Sequence, residues 1–233
     1  MPLPKIDLPI FETTLPSTEE KVKYRTMTVK EEKILLIAQE AGETEQVLVA
    51  TKQVLNNCLI DLNVDTLAMF DMEYMLMLIR SKSVDNVVKF NITDPDTQKP
   101  VELELDIEQV KLSRSPEHSN KVKINDDYTL FLKYPTIDEF IKIANMDPAD
   151  PLVNYFIMVS CLESVASEDE VHEFHKYTEK EIDGFMENLN TSVIKGIQMF
   201  FDTMPKLRHE IPYVNENGDE KKFTVEGLNS FFS

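Results

Sequence analysis

Histidines and cysteines have the widest chemical reach in this chain of 233 residues, which contains four and two of them respectively. His172 and His175 stand three apart, with Glu170 and Glu173 beside them. On a helix, two imidazoles at that spacing share a face and can bind zinc. The set stops there, because no CxxC occurs and no third or fourth ligand stands at a recognisable spacing. Cys58 and Cys161 lie inside apolar helical patterns, as buried small hydrophobes do, rather than as disulfide partners. His118 falls in a polar loop and His209 follows Arg208, and neither has an evident nucleophile to activate. Five glycines and no GxGxxG or Walker-type loop leave no cradle for a phosphate. These residues point to no catalytic centre and no cofactor.

Charge is the stronger signal. Twenty-four basic against 42 acidic side chains give a net charge of −18. A surface this acidic repels phosphate and anionic lipid, so it disfavours nucleic acid and favours basic partners. Against that background, Lys30, Lys33, Arg80 and Lys82 form a small basic set, with Arg25 just before the first helix. Lys206 and Arg208 make a second cluster in MPKLRH. All seven are candidate contacts for a partner protein; the competing readings are intramolecular ion pairs and charges at a helix exit. The first residues lack a basic region followed by an apolar core, so no signal peptide is expected. No apolar run approaches the roughly 20 residues of a membrane span.

Helices and strands must position these groups. Thr28 with Glu31 is a capping box that opens a helix over 28–41, with Ile34, Leu35, Ile37 and Ala38 as its buried stripe. A second helix covers 44–60, and a third, 72–82, capped by Asp71, is apolar almost all round. Period-two alternation then predicts strands at 87–92 and 101–107 around TDPDTQKP, and at 121–124 and 128–134. Thr136 with Glu139 opens the next helix, 151–165 reads as an apolar helix, and Ser167 with Glu170 repeats the capping pattern. Thr178 with Glu181 opens a long helix to about Phe201. Gly184 and Gly196 inside it suggest a close helix–helix contact. Asn217-Gly218 marks a hairpin between 211–214 and 222–225, and a last helical turn covers 226–232.

The expected fold is α+β: a mainly helical protein with a central antiparallel β region of about four strands and a C-terminal β-hairpin. Its parts are an extended, proline-rich arm (1–20), a strand and three-helix block (21–84), the β region (85–135) and a C-terminal helical region ending in the hairpin and a short helix (136–233).

Four stretches carry a resemblance: KYRTMTVKEEKILLIAQE (23–40), FDMEYMLMLIRSKSV (70–84), KVKINDDYTLFLKYP (121–135) and FFDTMPKLRHEIPYVNENGDEKKFTVEGLNSFF (200–232). In this order they resemble the baseplate hub subunit and hub-assembly family of T-even-type contractile-tailed bacteriophages. The resemblance implies a non-enzymatic protein made late in infection in the bacterial cytoplasm and carried in the tail baseplate of the virion. It would bind hub proteins, the tape-measure protein, or both. A transient assembly chaperone absent from the mature particle is the alternative, and a metal-dependent enzyme using His172 and His175 is the more distant one. A homo-oligomer is compatible with all of this.

Overall fold

The first pairing made by the chain uses residues that the proline count assigns to an arm. In the computed structural model, which describes residues 7–83, 86–147, 149–150 and 152–226, strand β1 (Ile10–Thr14) runs antiparallel to β2 (Lys21–Arg25), with Ile10 opposite Arg25 and Thr14 opposite Lys21. Pro9 and Pro16 flank β1 rather than interrupt it, so the ladder keeps its amide donors. The inner face supplies the driving force. Phe11 stacks on Tyr24 at 5.6 Å, and Val22, Tyr24 and Leu15 are buried. The expected arm is therefore a hairpin from residue 10 onward; residues 1–6 lie outside the described set.

Thr28 and Glu31 form the capping box expected of them and open α1 (Val29–Ala41), which Gly42 ends with φ at 72°. Helix α2 (Thr44–Cys58) stops two residues earlier than expected. Leu59 and Ile60 become a short β3 that pairs with Tyr24 and Lys23 of β2. Helix α3 (Met69–Ser83) is buried along most of its length, as its apolar circumference predicts. Asp71 does not cap it from outside. It lies in the first turn, fully buried, and its carboxylate accepts from the Ser17 amide at 3.0 Å and from the Ser17 hydroxyl. That pair anchors the β1–β2 turn to α3.

Strands β4 (Val87–Thr93) and β5 (Pro100–Asp106) form the expected hairpin as a sheet of their own, and β6 (Lys111–Ser113) follows. In the turn of TDPDTQKP, the Asp94 carboxylate accepts from the Asp96 and Thr97 amides and from the Thr97 hydroxyl.

From Arg114 to Pro205 the chain builds a second compact unit, then returns at Lys206 to complete the first. The unit contains β7 (Lys121–Lys123), β8 (Thr129–Leu132), α4 (Ile137–Ala144), α5 (Leu152–Ser160), β9 (Leu162–Ala166), β10 (Val171–Glu173), α6 (Glu179–Glu187) and α7 (Thr191–Thr203). Its strands make one antiparallel sheet in the order β10-β9-β8-β7. The central β region is thus not one sheet. Its strands are divided among three sheets, and the compact units do not follow the boundaries expected at 84/85 and 135/136.

Two helices read from periodicity are cut by other interactions. The 151–165 segment is helical only to Ser160, because 162–166 pairs with β8, with Val165 opposite Leu130 and Leu162 opposite Leu132. A continuous apolar run does not distinguish a buried strand from a buried helix, and here the sheet takes the end of it. Ser167 and Glu170 close the β9–β10 turn rather than cap a helix: the Ser167 amide donates to the Glu170 carbonyl at 2.9 Å. The long helix after Thr178 breaks at 188–190, where the Asn190 side chain accepts from the Ser192 and Val193 amides and caps α7 anew.

Gly196 does permit a close approach, but to a strand. A methyl group at Gly196 would stand 2.5 Å from Val122 Cγ1 of β7, whereas one at Gly184 would meet nothing within 4 Å. Gly196→Ala is therefore expected to destabilise the second unit by about 1–2 kcal/mol through overpacking, despite a better helix propensity. In a Val122→Ala background the same change should become neutral or favourable. Equal losses in both backgrounds, measured by thermal unfolding, would rule out the close approach as the cause.

The returning chain forms β11 (Lys206–Val214) and β12 (Glu220–Glu226), joined through Asn215–Asp219 with Gly218 at φ 87°, and β6 adds to β11 as third strand. The hairpin stands where Asn217-Gly218 predicts it, but with longer strands. Leu207, Ile211 and Val225 join Met77, Leu103, Leu105, Ile107 and Val110 in the core of the first unit. The final helical turn expected at 226–232 lies almost wholly outside the described residues.

Candidate partner-binding site

Of the seven candidate cations, Arg25 points inward. Its guanidinium donates to Glu31 Oε1 at 2.9 Å and to the Thr26 carbonyl at 2.8 Å, and it approaches Cys58 Sγ at 3.6 Å. Glu31 is buried and also accepts from the Thr28 amide at 2.7 Å and from the Thr28 hydroxyl. Burial alone would raise its pKa, but Arg25 and the two Thr28 donors outweigh it and bring the carboxyl to about 2. Arg25 therefore holds α1 in place. Lys206 pairs with Glu226 at 3.3 Å, and Arg208 with Glu210 at 3.3 Å, all at partly exposed positions of the β11–β12 sheet. Pairs of this kind contribute little to stability and offer a partner less free charge. Arg80 is half-buried and Lys82 exposed on α3.

Lys30 and Lys33 differ from these. Both are exposed on α1, and neither makes an ion pair with another described residue. Their surroundings are apolar. Val29 is 73 % exposed, Leu36 51 % and Ile37 65 %. Residues i, i+4, i+7 and i+8 share a helix face, so Val29, Lys33, Leu36 and Ile37 form one continuous strip, with Lys30 at its edge. Ile37 is thus not part of the buried stripe. Ala38 is buried, while Ile34 and Leu35 are only half-covered. The i, i+7, i+8 spacing was readable in the sequence; which of two apolar faces meets the core was not.

His172 and His175 do not share a helix face. His172 lies on β10 and His175 in the 3-10 turn at Phe174–Lys176. Their Nε2 atoms face different carboxylates, Glu170 at 3.3 Å and Glu173 at 3.7 Å. Among the described residues, no group of three or more His, Cys, Asp and Glu side chains is arranged to hold a metal. Instead His172 joins a relay that the sequence did not reveal: Tyr177 Oη lies 2.7 Å from His172 Nδ1, and the Tyr128 hydroxyl donates to Glu170 Oε1 at 2.9 Å. The two cysteines are buried in separate units, and burial pushes the thiol of Cys58 up to about 11 and that of Cys161 up to about 12. Neither is poised as a nucleophile.

The chain is acidic, and both of its compact units combine helices with antiparallel strands. A sequence model of the family described as "T4 bacteriophage base plate protein" matches residues 8–233. The chain belongs to that family. No curated protein and no solved structure matches it. Membership makes this a phage baseplate protein of a structural family, with other baseplate proteins as its neighbours. Among the described residues, no helix is long and apolar enough to cross a membrane.

Proposed function

We propose that the protein is a non-enzymatic subunit of the baseplate hub that binds a hub or tape-measure protein through the outer face of α1. One observation carries this reading: Val29, Leu36 and Ile37 are exposed on one face of α1 together with Lys33, with Lys30 at the edge, and neither lysine makes an ion pair with another described residue. Isolated exposed hydrophobes are ordinary on a protein surface, but a contiguous apolar strip rimmed by charge is typical of an interaction site. The lysines favour a partner surface that carries carboxylates near its apolar centre.

Co-expression with the hub and tape-measure proteins of the same phage, followed by pull-down, tests the reading. Leu36→Glu with Ile37→Glu should leave thermal unfolding within about 0.5 kcal/mol of wild type, since both side chains are already solvated. The same pair should weaken capture of the partner by at least about tenfold. Unaltered capture by the doubly substituted protein overturns the assignment of this face. Mass spectrometry of purified virions separates a resident subunit from a transient chaperone: stoichiometric peptides require residence, and their absence requires release.

A further inference from the structure

The second unit contains a cleft of about 510 Å³ between its sheet and α6. Ile124, Val165, Phe174, Ile182 and Phe185 make its walls, and Tyr128, His172, Tyr177 and Glu181 complete the lining. Phe174 is buried against Phe185 at 5.2 Å between ring centroids, so the floor is packed, while Tyr177 is 40 % exposed at the lip. The volume falls within the range of ligand-binding clefts and exceeds that of a single side chain.

The rim has a definite polarity. With the imidazole neutral, the Tyr177 hydroxyl donates to His172 Nδ1, and His172 Nε2 donates to Glu170 Oε1, which also receives the Tyr128 hydroxyl. Every polar hydrogen of the relay is therefore spent on an internal acceptor. What remains toward solvent is lone pairs: Glu170 Oε2 and Glu181 Oε1 have no partner among the described residues, Glu181 Oε2 being held by the Thr178 amide and hydroxyl. Among the described residues no lysine or arginine lines the cleft, and the neighbouring Lys123 and Lys176 pair with Asp126 and Glu173. Asp127 adds a further carboxylate near Tyr128. Acceptors around an aromatic-walled apolar hollow suit a donor-rich cation attached to an apolar group.

We propose that this cleft is a second docking site, for a basic protein segment whose aromatic or long aliphatic side chain enters between the sheet and α6 while an adjacent Lys or Arg meets Glu170 and Glu181. The site is independent of the α1 face, which carries the opposite charge and lies in the other unit.

The test is selection of a random peptide display library on the immobilised full-length protein, followed by titration of the enriched peptide, made synthetically, against wild type and two variants. Glu170→Lys reverses the rim charge at an exposed turn, and Ile182→Asp places a charge within the cleft at a half-buried position. Enriched peptides should join an aromatic or aliphatic residue to Lys or Arg, and both variants should bind at least about tenfold more weakly than wild type. Hydrogen exchange on each variant checks that the unit remains folded; if Ile182→Asp unfolds it, Ile182→Ser takes its place. Enrichment of neutral or acidic peptides, or of none, overturns the proposal. Equal binding by the variants does so too. A loss confined to Glu170→Lys would show surface charge without the cleft, and a loss confined to the Ile182 variant would show the cleft without charge recognition; either also overturns it.

Discussion

Phe200→Ala is expected to destabilise the Arg114–Pro205 unit by about 3–5 kcal/mol, the usual cost of removing a fully buried aromatic side chain. Phe200 is 1 % exposed on α7 and belongs to the core made by Leu130, Leu132, Val193 and Ile197. It also closes a three-ring stack, 5.5 Å from Tyr134 and 5.2 Å from His118. Hydrogen exchange of amides in β8 and α7 is the proper measurement, because it reads this unit rather than the whole chain. Protection in β8 that survives the substitution would refute the central place given to this ring.

The same stack makes the unit sensitive to acid. Thr203 Oγ1 donates to the Met199 carbonyl at 2.6 Å, so it accepts from His118 Nδ1 at 2.9 Å, leaving His118 Nε2 to accept from the Tyr134 hydroxyl at 2.8 Å. Neutral imidazole satisfies all of these bonds. Burial lowers the pKa of His118 from its ordinary 6.5. The unfolded chain then binds the proton more readily, so stability is full above pH 6.5 and declines as the pH falls below it. His118→Gln should remove that part of the decline. An unchanged pH profile as the pH falls below 6.5, measured by hydrogen exchange, would contradict it.

Glu31→Gln carries the second large effect. Glutamine can keep the capping geometry of α1, so the substitution isolates the charge that faces Arg25. Loss of the carboxylate leaves a partly buried guanidinium without its counter-ion, at a cost of about 2 kcal/mol near neutrality. The sign of the pH dependence follows from a pKa lowered from 4.5 to about 2. The stabilisation is present above pH 4.5 and disappears as the pH falls toward about 2. Wild type and variant should therefore differ most at neutral pH and converge in acid. A constant difference from neutrality down to strong acid, in urea unfolding, would show that geometry rather than charge sets the effect.

Sequence signals carry through to the fold where their chemistry is local. Thr28 with Glu31, Thr136 with Glu139 and Thr178 with Glu181 each open a helix because the bonds of a capping box span only three residues. Asn217-Gly218 turns the last hairpin for the same reason. Segments whose structure departs from their local pattern have distant partners. Leu162–Ala166 looks helical until β8 supplies its ladder, and β1 looks like an arm until β2 does. Gly196 suggests a close neighbour, but only the packed unit shows that the neighbour is Val122 of a strand.

The candidate surfaces divide along the same line. Lys30 and Lys33 are exposed cations by composition and spacing alone, whereas Arg25, Lys206 and Arg208 lose their availability to carboxylates that the fold brings beside them. The relay of Tyr128, Glu170, His172 and Tyr177 joins two hairpin turns and a helix entry, and no sequence periodicity connects residues placed that way. The sequence by itself determined the acidic character, the helix caps, the final turn and, through its ordered stretches, the family. Only the tertiary structure decided which histidine meets which carboxylate, which face of α1 remains uncovered and where a cleft opens. Charge, caps and tight turns are properties of a few adjacent residues, while pairing and burial depend on segments tens of residues apart meeting in space.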